Sequence, residues 1–246
     1  MKKLLKKVLE LFGLIVFKRE TINNKFYPDL ARRIKIMKNL EINLLFDIGA
    51  NNGQYATQIR NLGYTEKIIS FEPLDDVYQS LLEVSKNDAK WSIRNLALGD
   101  KKEYNYINIS ENSMSSSILE MLPLHLESAP QSKYINKQKI EIDTIDTVLQ
   151  EFDSDNNHIM LKVDAQGYEK KILDGALNSI DKIKIIQLEM SLEPLYKGEI
   201  DFVEMIQFMK SIGFNLYSIE NGYADEHRSK LLQVDGIFVN EIFLIK

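Results

Sequence analysis

Four carboxylates stand where an apolar run gives way to a turn. Asp47 lies in LLFDIGANNG (44–53), Glu72 directly follows IISF (68–71), Asp164 closes IMLKVD (159–164), and Glu189 closes IKIIQLE (183–189). A short apolar run bounded by turn residues reads as a buried strand. In an open parallel sheet, ligands bind beyond the carboxyl ends of the strands. Acids gathered there suit a ligand with hydroxyls or positive charge, and an acid of this kind can also serve as a general base. Gly49 and Gly53 bracket the turn after Asp47, where the backbone must bend sharply and leave room for a ligand.

Charge narrows the ligand. A dinucleotide site uses G-x-G-x-x-G to seat pyrophosphate on a helix N-terminus. This loop lacks that triplet, and Asp47 would repel a pyrophosphate at close range. It suits a ligand carrying an ammonium and a sulfonium, as S-adenosylmethionine does. Glu72 falls about where an acid meets ribose hydroxyls in such folds. Taken singly, Asp47 also reads as a turn cap and Glu72 as a solvated strand end. Lys162, two residues before Asp164 on one strand face, reads as paired with a core acid or as orienting a substrate.

The chain has 246 residues, 44% of them hydrophobic, and no cysteine. This is enough for one sizeable core and excludes disulfides and thiolate metal sites. His125, His158 and His227 are scattered, so no zinc cluster is visible. The net charge of −5 divides unevenly: residues 1–38 hold eleven Lys and Arg against three acids, leaving −13 on the remainder. An acidic body argues against nucleic acid as a partner. Residues 1–38 are expected as a basic amphipathic arm and residues 39–246 as one domain. Leu4, Leu5, Val8, Leu11, Phe12 and Ile15 recur at helical spacing, and the apolar stretch falls short of the roughly 20 residues a bilayer requires. Glu10 and the lack of an A-x-A-like site argue against a cleaved signal. Two readings of residues 1–20 stay open: peripheral contact with an anionic membrane, or packing on the domain or a second copy. The expected location is cytoplasmic, at the inner membrane face if the arm docks there.

These residues need elements to position them. Ile34, Ile36 and Leu40 suggest a helix before the first strand, and Tyr55, Ile59 and Leu62 share a helix face after the glycine loop. Pro73 opens another helix with Val77, Leu81 and Leu82. Trp91–Leu98 reads as a third strand and Tyr104–Ser110 as a further one. The Ser-, Met- and Pro-bearing stretch 110–137 reads as a lid, a substrate loop or an exposed excursion. Ile140–Ile142 resumes as strand, followed by a helix to Leu149. Ile172, Leu173, Ala176, Leu177 and Ile180 suggest a helix after Asp164, and Phe202–Ile212 another. Phe214–Ile219 and Val234–Val239 would close the sheet as an antiparallel pair around a loop bearing His227.

In order, FDIGANNGQYA, SFEP, NLALGD, IEIDTIDTVL, KVDAQGYEKKIL and QVDGIFV resemble the FkbM family of methyltransferases over roughly residues 43–240. The resemblance implies an α/β, Rossmann-like class I methyltransferase fold: a seven-stranded, mostly parallel sheet with the last strand antiparallel. It implies S-adenosylmethionine as cofactor and methyl transfer to oxygen on a small-molecule or glycan acceptor, often sugars of surface glycans or secondary metabolites. By position, Asp47, Gly49 and Gly53 form the first cofactor loop, with Asn51 and Tyr55 in the same segment; Glu72 holds the ribose and Ala97 meets the adenine. Asp164 faces donor and acceptor. As general base it ranks first, ahead of Glu189 and His227, and Asp164 with Glu189 offers hard oxygen ligands to Mg²⁺. Ala165-Gln166 stands where many members read Val-Glu, which weakens a carboxylate role there. Two competing classes are a nicotinamide-dependent oxidoreductase on the same architecture and a non-catalytic membrane or complex partner.

Overall fold

The computed structural model describes residues 28–152 and 156–244. The expected amphipathic segment, residues 1–20, lies outside them. Among the described residues, no helix is long and apolar enough to cross a membrane.

The strands are β1 (Leu44–Ile48), β2 (Lys67–Phe71), β3 (Trp91–Arg94), β4 (Ala97–Leu98), β5 (Glu103–Ser110), β6 (Tyr134–Asp143), β7 (Ile159–Val163), β8 (Ile183–Ser191), β9 (Phe214–Asn221), β10 (Ala224–Asp225), β11 (Lys230–Leu231) and β12 (Gln233–Asn240). The helices are α1 (Pro28–Asn39), α2 (Gln54–Asn61), α3 (Asp75–Ser85), α4 (Pro123–Ser128), α5 (Ile145–Gln150), α6 (Glu169–Asp174) and α7 (Phe202–Ser211). Seven strands form one sheet in the order β3-β2-β1-β7-β8-β12-β9. β12 runs antiparallel to both its neighbours and the other pairs are parallel, as expected. β1 and β7 are buried at all five positions, which is why they read as unbroken apolar runs. Alternate residues feed opposite faces: Leu44, Phe46 and Ile48 join one core cluster and Leu45 the other. The sheet changes direction between β1 and β7, and register sets Asp47 beside Lys162 there.

Four expectations need correction. The strand 91–98 is two strands: β3 ends at Arg94, where the Asn95 amide donates to the carbonyls of Glu72 and Pro73. β4 then joins β6 and β5 in a separate three-stranded sheet. β6 begins at Tyr134 rather than Ile140, hidden in the sequence because its polar first half is exposed and held by pairing with β5. The helix after β7 stops at Asp174, short of the expected face; the Gly175 that follows passes so close to Gly99 that a Cβ would lie 2.0 Å from its carbonyl oxygen, and Leu177 is exposed. Finally, the boundary expected at residue 38 falls inside α1. Ile36 and Met37 are core residues, and Arg33 makes a buried two-pronged ion pair with Glu220 on β9. Residues 28–38 therefore pack with the domain.

The serine-rich stretch folds back as a wall. Asn108 bridges to Ser117 and Met121 to Tyr196, pinning it at both ends.

Candidate active site

A cleft of about 780 Å³ opens beyond the carboxyl ends of β1, β2, β7 and β8. This is the switch-point crevice of a doubly wound sheet. Gly49, Asn51, Tyr55 and Glu72 line it on one side and Ala97 beside them; Asp164 and Glu189 lie on its floor. Asp47, Gly53 and His227 do not reach it.

The glycine loop turns through left-handed backbone at Gly49 (φ 72°), Asn51 (φ 45°) and Gly53 (φ 77°). A Cβ on Gly49 would lie 1.8 Å from the Asp164 carbonyl oxygen, so the two strand-end loops touch. Gly53 instead faces the core, where a Cβ would meet Leu81 and Trp91 at 2.7–2.9 Å. Its place in the motif reflects packing and the start of α2 rather than ligand contact. Glu72 is buried and braces the loop: it accepts from the Asn51 amide (2.8 Å) and the Leu74 amide (2.9 Å). Burial pushes its pKa up to about 7.

Asp47 is fully buried. The expectation that it faces a ligand gives way to an internal role. Its Oδ2 accepts from Ser70 (3.2 Å), and its Oδ1 has only the Lys162 ammonium, 3.4 Å away. Burial raises the Asp47 pKa, against the pull of Lys162. Lys162 also lies 3.4 Å from Asp164 and donates to the Gly49 carbonyl (3.2 Å). Burial alone would lower its pKa, but Asp164 and Asp47 outweigh this and raise it, so the ammonium stays charged. The Tyr55 ring lies between Lys162 and Arg33, 5.5 and 5.2 Å from its centroid.

Gln166 holds the catalytic candidates. Its amide nitrogen donates to Asp164 and to Glu189, 2.9 Å in each case. The position expected for a cation between these acids is thus taken by an amide, and among the described residues no group of three or more metal-ligating side chains occurs. Gln166 adopts φ 54°, and its own Oε1 accepts from the Tyr196 hydroxyl (2.7 Å). Glu189 also accepts from Gln233 (2.9 Å). Burial, then repulsion from Asp164 and Glu169, raises its pKa well above the usual carboxylate range. Asp235, its register partner on β12, is pushed up to about 6, chiefly by burial.

His227 is exposed in the turn between β10 and β11, where Arg228 pairs with Asp225 and Glu127. Sequence reasoning chose it for its loop; the histidine that does line the cleft is His125 on α4. No local pattern marks His125. Gln187 and Gln233 were legible in principle, as lone amides in apolar strands: Gln187 accepts from the Tyr55 hydroxyl (2.8 Å).

Glu169 caps the loop from beneath, accepting from the amides of Ala165 (2.7 Å) and Gly167 (3.3 Å). Burial pushes it up to about 8 from an unfolded value near 4.5. Between these values the folded chain holds a proton that the unfolded chain releases. The stabilising contribution is complete below pH 4.5 and is lost as pH rises through 8. Glu169→Gln keeps the acceptor and removes the titration. Thermal melts should show the variant level with the wild type near pH 5 and about 3 °C or more higher near pH 9.

The sheet order, the single antiparallel strand and the crevice at the switch point define a Rossmann-like class I methyltransferase fold. The chain belongs to the FkbM methyltransferase family: the methyltransferase FkbM domain matches residues 47–216. Among solved structures, the plantazolicin methyltransferase BamL, in complex with a triazolic desmethylPZN analog and SAH, is 9% identical with a TM-score of 0.46, covering 89% of this chain and 88% of that one. The methyltransferase domain of bacterial CtHen1 is 8% identical with a TM-score of 0.43, over 86% of this chain and 97% of that one. Aeropyrum pernix fibrillarin with natively bound S-adenosyl-L-methionine is 9% identical, TM-score 0.43, over 80% and 66%. No curated protein sequence matches the chain.

Proposed function

We propose that the chain is an S-adenosylmethionine-dependent O-methyltransferase acting on a hydroxyl of a sugar, in a surface glycan, or of a secondary metabolite. The observation that supports it is the charge of the cleft. Glu72, Asp164, Glu189 and Asp235 line it, while its two cationic residues among those described, Arg33 and Lys162, are engaged by Glu220 and by Asp47 with Asp164. Burial is the main cause that raises the pKa values of Glu72, Glu189 and Asp235, and crowding by neighbouring acids adds to it in each case. A sulfonium and an ammonium relieve that crowding; a pyrophosphate adds to it.

The residues fit the cofactor. Glu72 would hold the ribose hydroxyls, the backbone at Ala97 would meet the adenine, and the Gly49–Asn51 loop would take the remainder. When bound, the cofactor supplies an electrophilic methyl group. The protein's own task is alignment of an in-line displacement and removal of the acceptor proton. Asp164 takes that proton. Gln166 fixes its Oδ1, and Lys162 beside its Oδ2 keeps the carboxylate in place. Glu189 receives both its amide donors on Oε2, leaving Oε1 open toward the acceptor. For residues 1–20 the reading remains that of the sequence: contact with an anionic membrane face, or packing on the domain or a second copy.

Calorimetry with S-adenosylhomocysteine and with NAD tests the donor; a tritiated-methyl assay on glycan and metabolite fractions tests the transfer. S-adenosylhomocysteine should bind and NAD should not, with label entering a hydroxylated product. Binding of NAD alone would favour the oxidoreductase, and binding of S-adenosylhomocysteine without transfer to any fraction the non-catalytic partner.

A further inference from the structure

We infer that His125 marks an acceptor subsite for a neutral, polyhydroxylated ligand, in which the imidazole Nδ1 exchanges a hydrogen bond with a ligand hydroxyl. This rests on the reading of the cleft as a methyl-transfer site with a hydroxylated acceptor.

Three buried side-chain polar atoms among the described residues lack a hydrogen-bond partner: Asp47 Oδ1, Asp146 Oδ1 and His125 Nδ1. The first has the Lys162 ammonium, and the other oxygen of Asp146 accepts from the amide and side chain of Asn178. His125 Nδ1 has no such compensation, though the residue is only 4% exposed and lines the cleft. A buried nitrogen left unpaired is destabilising, and one that lines a cleft is a natural position for a ligand's hydrogen-bonding group.

The ring is held for that purpose. Tyr196 meets it edge-on at 5.2 Å and 86°, and Tyr223 lies at 5.8 Å. The Tyr223 hydroxyl donates to Ser128 on the same helix (2.9 Å). The Tyr196 hydroxyl donates to Gln166, the residue that grips Asp164 and Glu189. One aromatic side chain thus separates His125 from the residue that holds the catalytic acids. The wall beside it is preformed: Asn112 donates to the hydroxyls of Ser115 and Ser132, which lie 2.9 Å apart.

The chemistry of this wall selects against charge. Burial lowers the His125 pKa to about 4, so at neutral pH it offers one N–H and one lone pair, and no cation. Its companions in the cleft wall are serine, asparagine and tyrosine. A phosphorylated or carboxylated acceptor would find the cleft's two described cationic residues, Arg33 and Lys162, already paired with acids, whereas a neutral ring bearing several hydroxyls would find donors, acceptors and aromatic faces.

The test uses the full chain labelled with ¹⁵N, with and without saturating S-adenosylhomocysteine. It is titrated with methyl glycosides of glucose, galactose and rhamnose, and in parallel with methyl glucuronide and glucose 6-phosphate. Histidine ring ¹⁵N signals are assigned through His125→Gln. At least one neutral glycoside should shift the His125 ring signals while those of His158 and His227 stay still, and the two anions should not. His125→Gln and His125→Phe, the latter keeping the ring packing, should weaken binding of that glycoside about tenfold, as for one lost hydrogen bond, with S-adenosylhomocysteine affinity unchanged. A His125 signal that no glycoside moves overturns the subsite, as does equal or better binding of the anions. Failure of S-adenosylhomocysteine to bind the wild type is a separate result that overturns the donor reading.

Discussion

Lys162→Met should remove about 3–5 kcal/mol of folding stability, the loss expected when one partner of a buried ion pair is deleted. Lys162 and Asp47 are register partners on adjacent central strands, and Asp47 has no exposed surface. With the ammonium gone, Asp47 keeps one hydrogen bond, from Ser70, and its Oδ1 faces an apolar interior. The Gly49 carbonyl loses its donor in the same step. Asp47→Asn combined with Lys162→Met removes the orphaned charge and should recover most of the loss. Urea denaturation of the two single variants and the double variant, read as a double-mutant cycle, checks this. A Lys162→Met loss below about 1 kcal/mol would mean that the pair does not hold β1 to β7. By the same geometry, Asp47→Ala should impair the fold together with cofactor binding, since its carboxylate acts through Lys162 and the Gly49 loop.

Asp164→Asn should lower kcat by about 10²–10⁴-fold, the usual contribution of a general base, and change S-adenosylhomocysteine affinity little. Asn preserves the side-chain shape. Its carbonyl oxygen can still accept from Gln166, and Lys162 retains Asp47. What disappears is the acceptor for the substrate proton. Tritiated-methyl transfer and calorimetry on the same preparation separate the two quantities. Parallel loss of binding and turnover would place Asp164 in cofactor binding instead. Unchanged turnover would transfer the role of base to Glu189.

The positions of the acids were legible because each follows an apolar run, and strand ends gather ligands whatever the loops do. Their division of labour was not. Asp47 and Glu72 look alike in sequence, yet register pairs Asp47 with Lys162 inside the sheet, while Glu72 follows the end of β2 and binds the loop amides. Gln166 looked like a weakened carboxylate. Its left-handed backbone and the approach of β8 make it the clamp between Asp164 and Glu189. The two histidines exchanged standing for a similar reason: His227 sits on a loop that stays in solvent, whereas His125 is carried inward by the pairing of Met121 with Tyr196.

Sequence alone determined the main strands of the sheet, its parallel character and the edge at which the cleft opens, because hydrophobic period and turn residues act within a few positions along the chain. Tertiary structure decided which acids line the cleft, which are paired inside the sheet, where α1 belongs and which histidine enters the cleft. Those outcomes depend on contacts between residues often a hundred or more positions apart, such as Arg33 with Glu220 and Asp47 with Lys162, and short-range pattern carries no information about them.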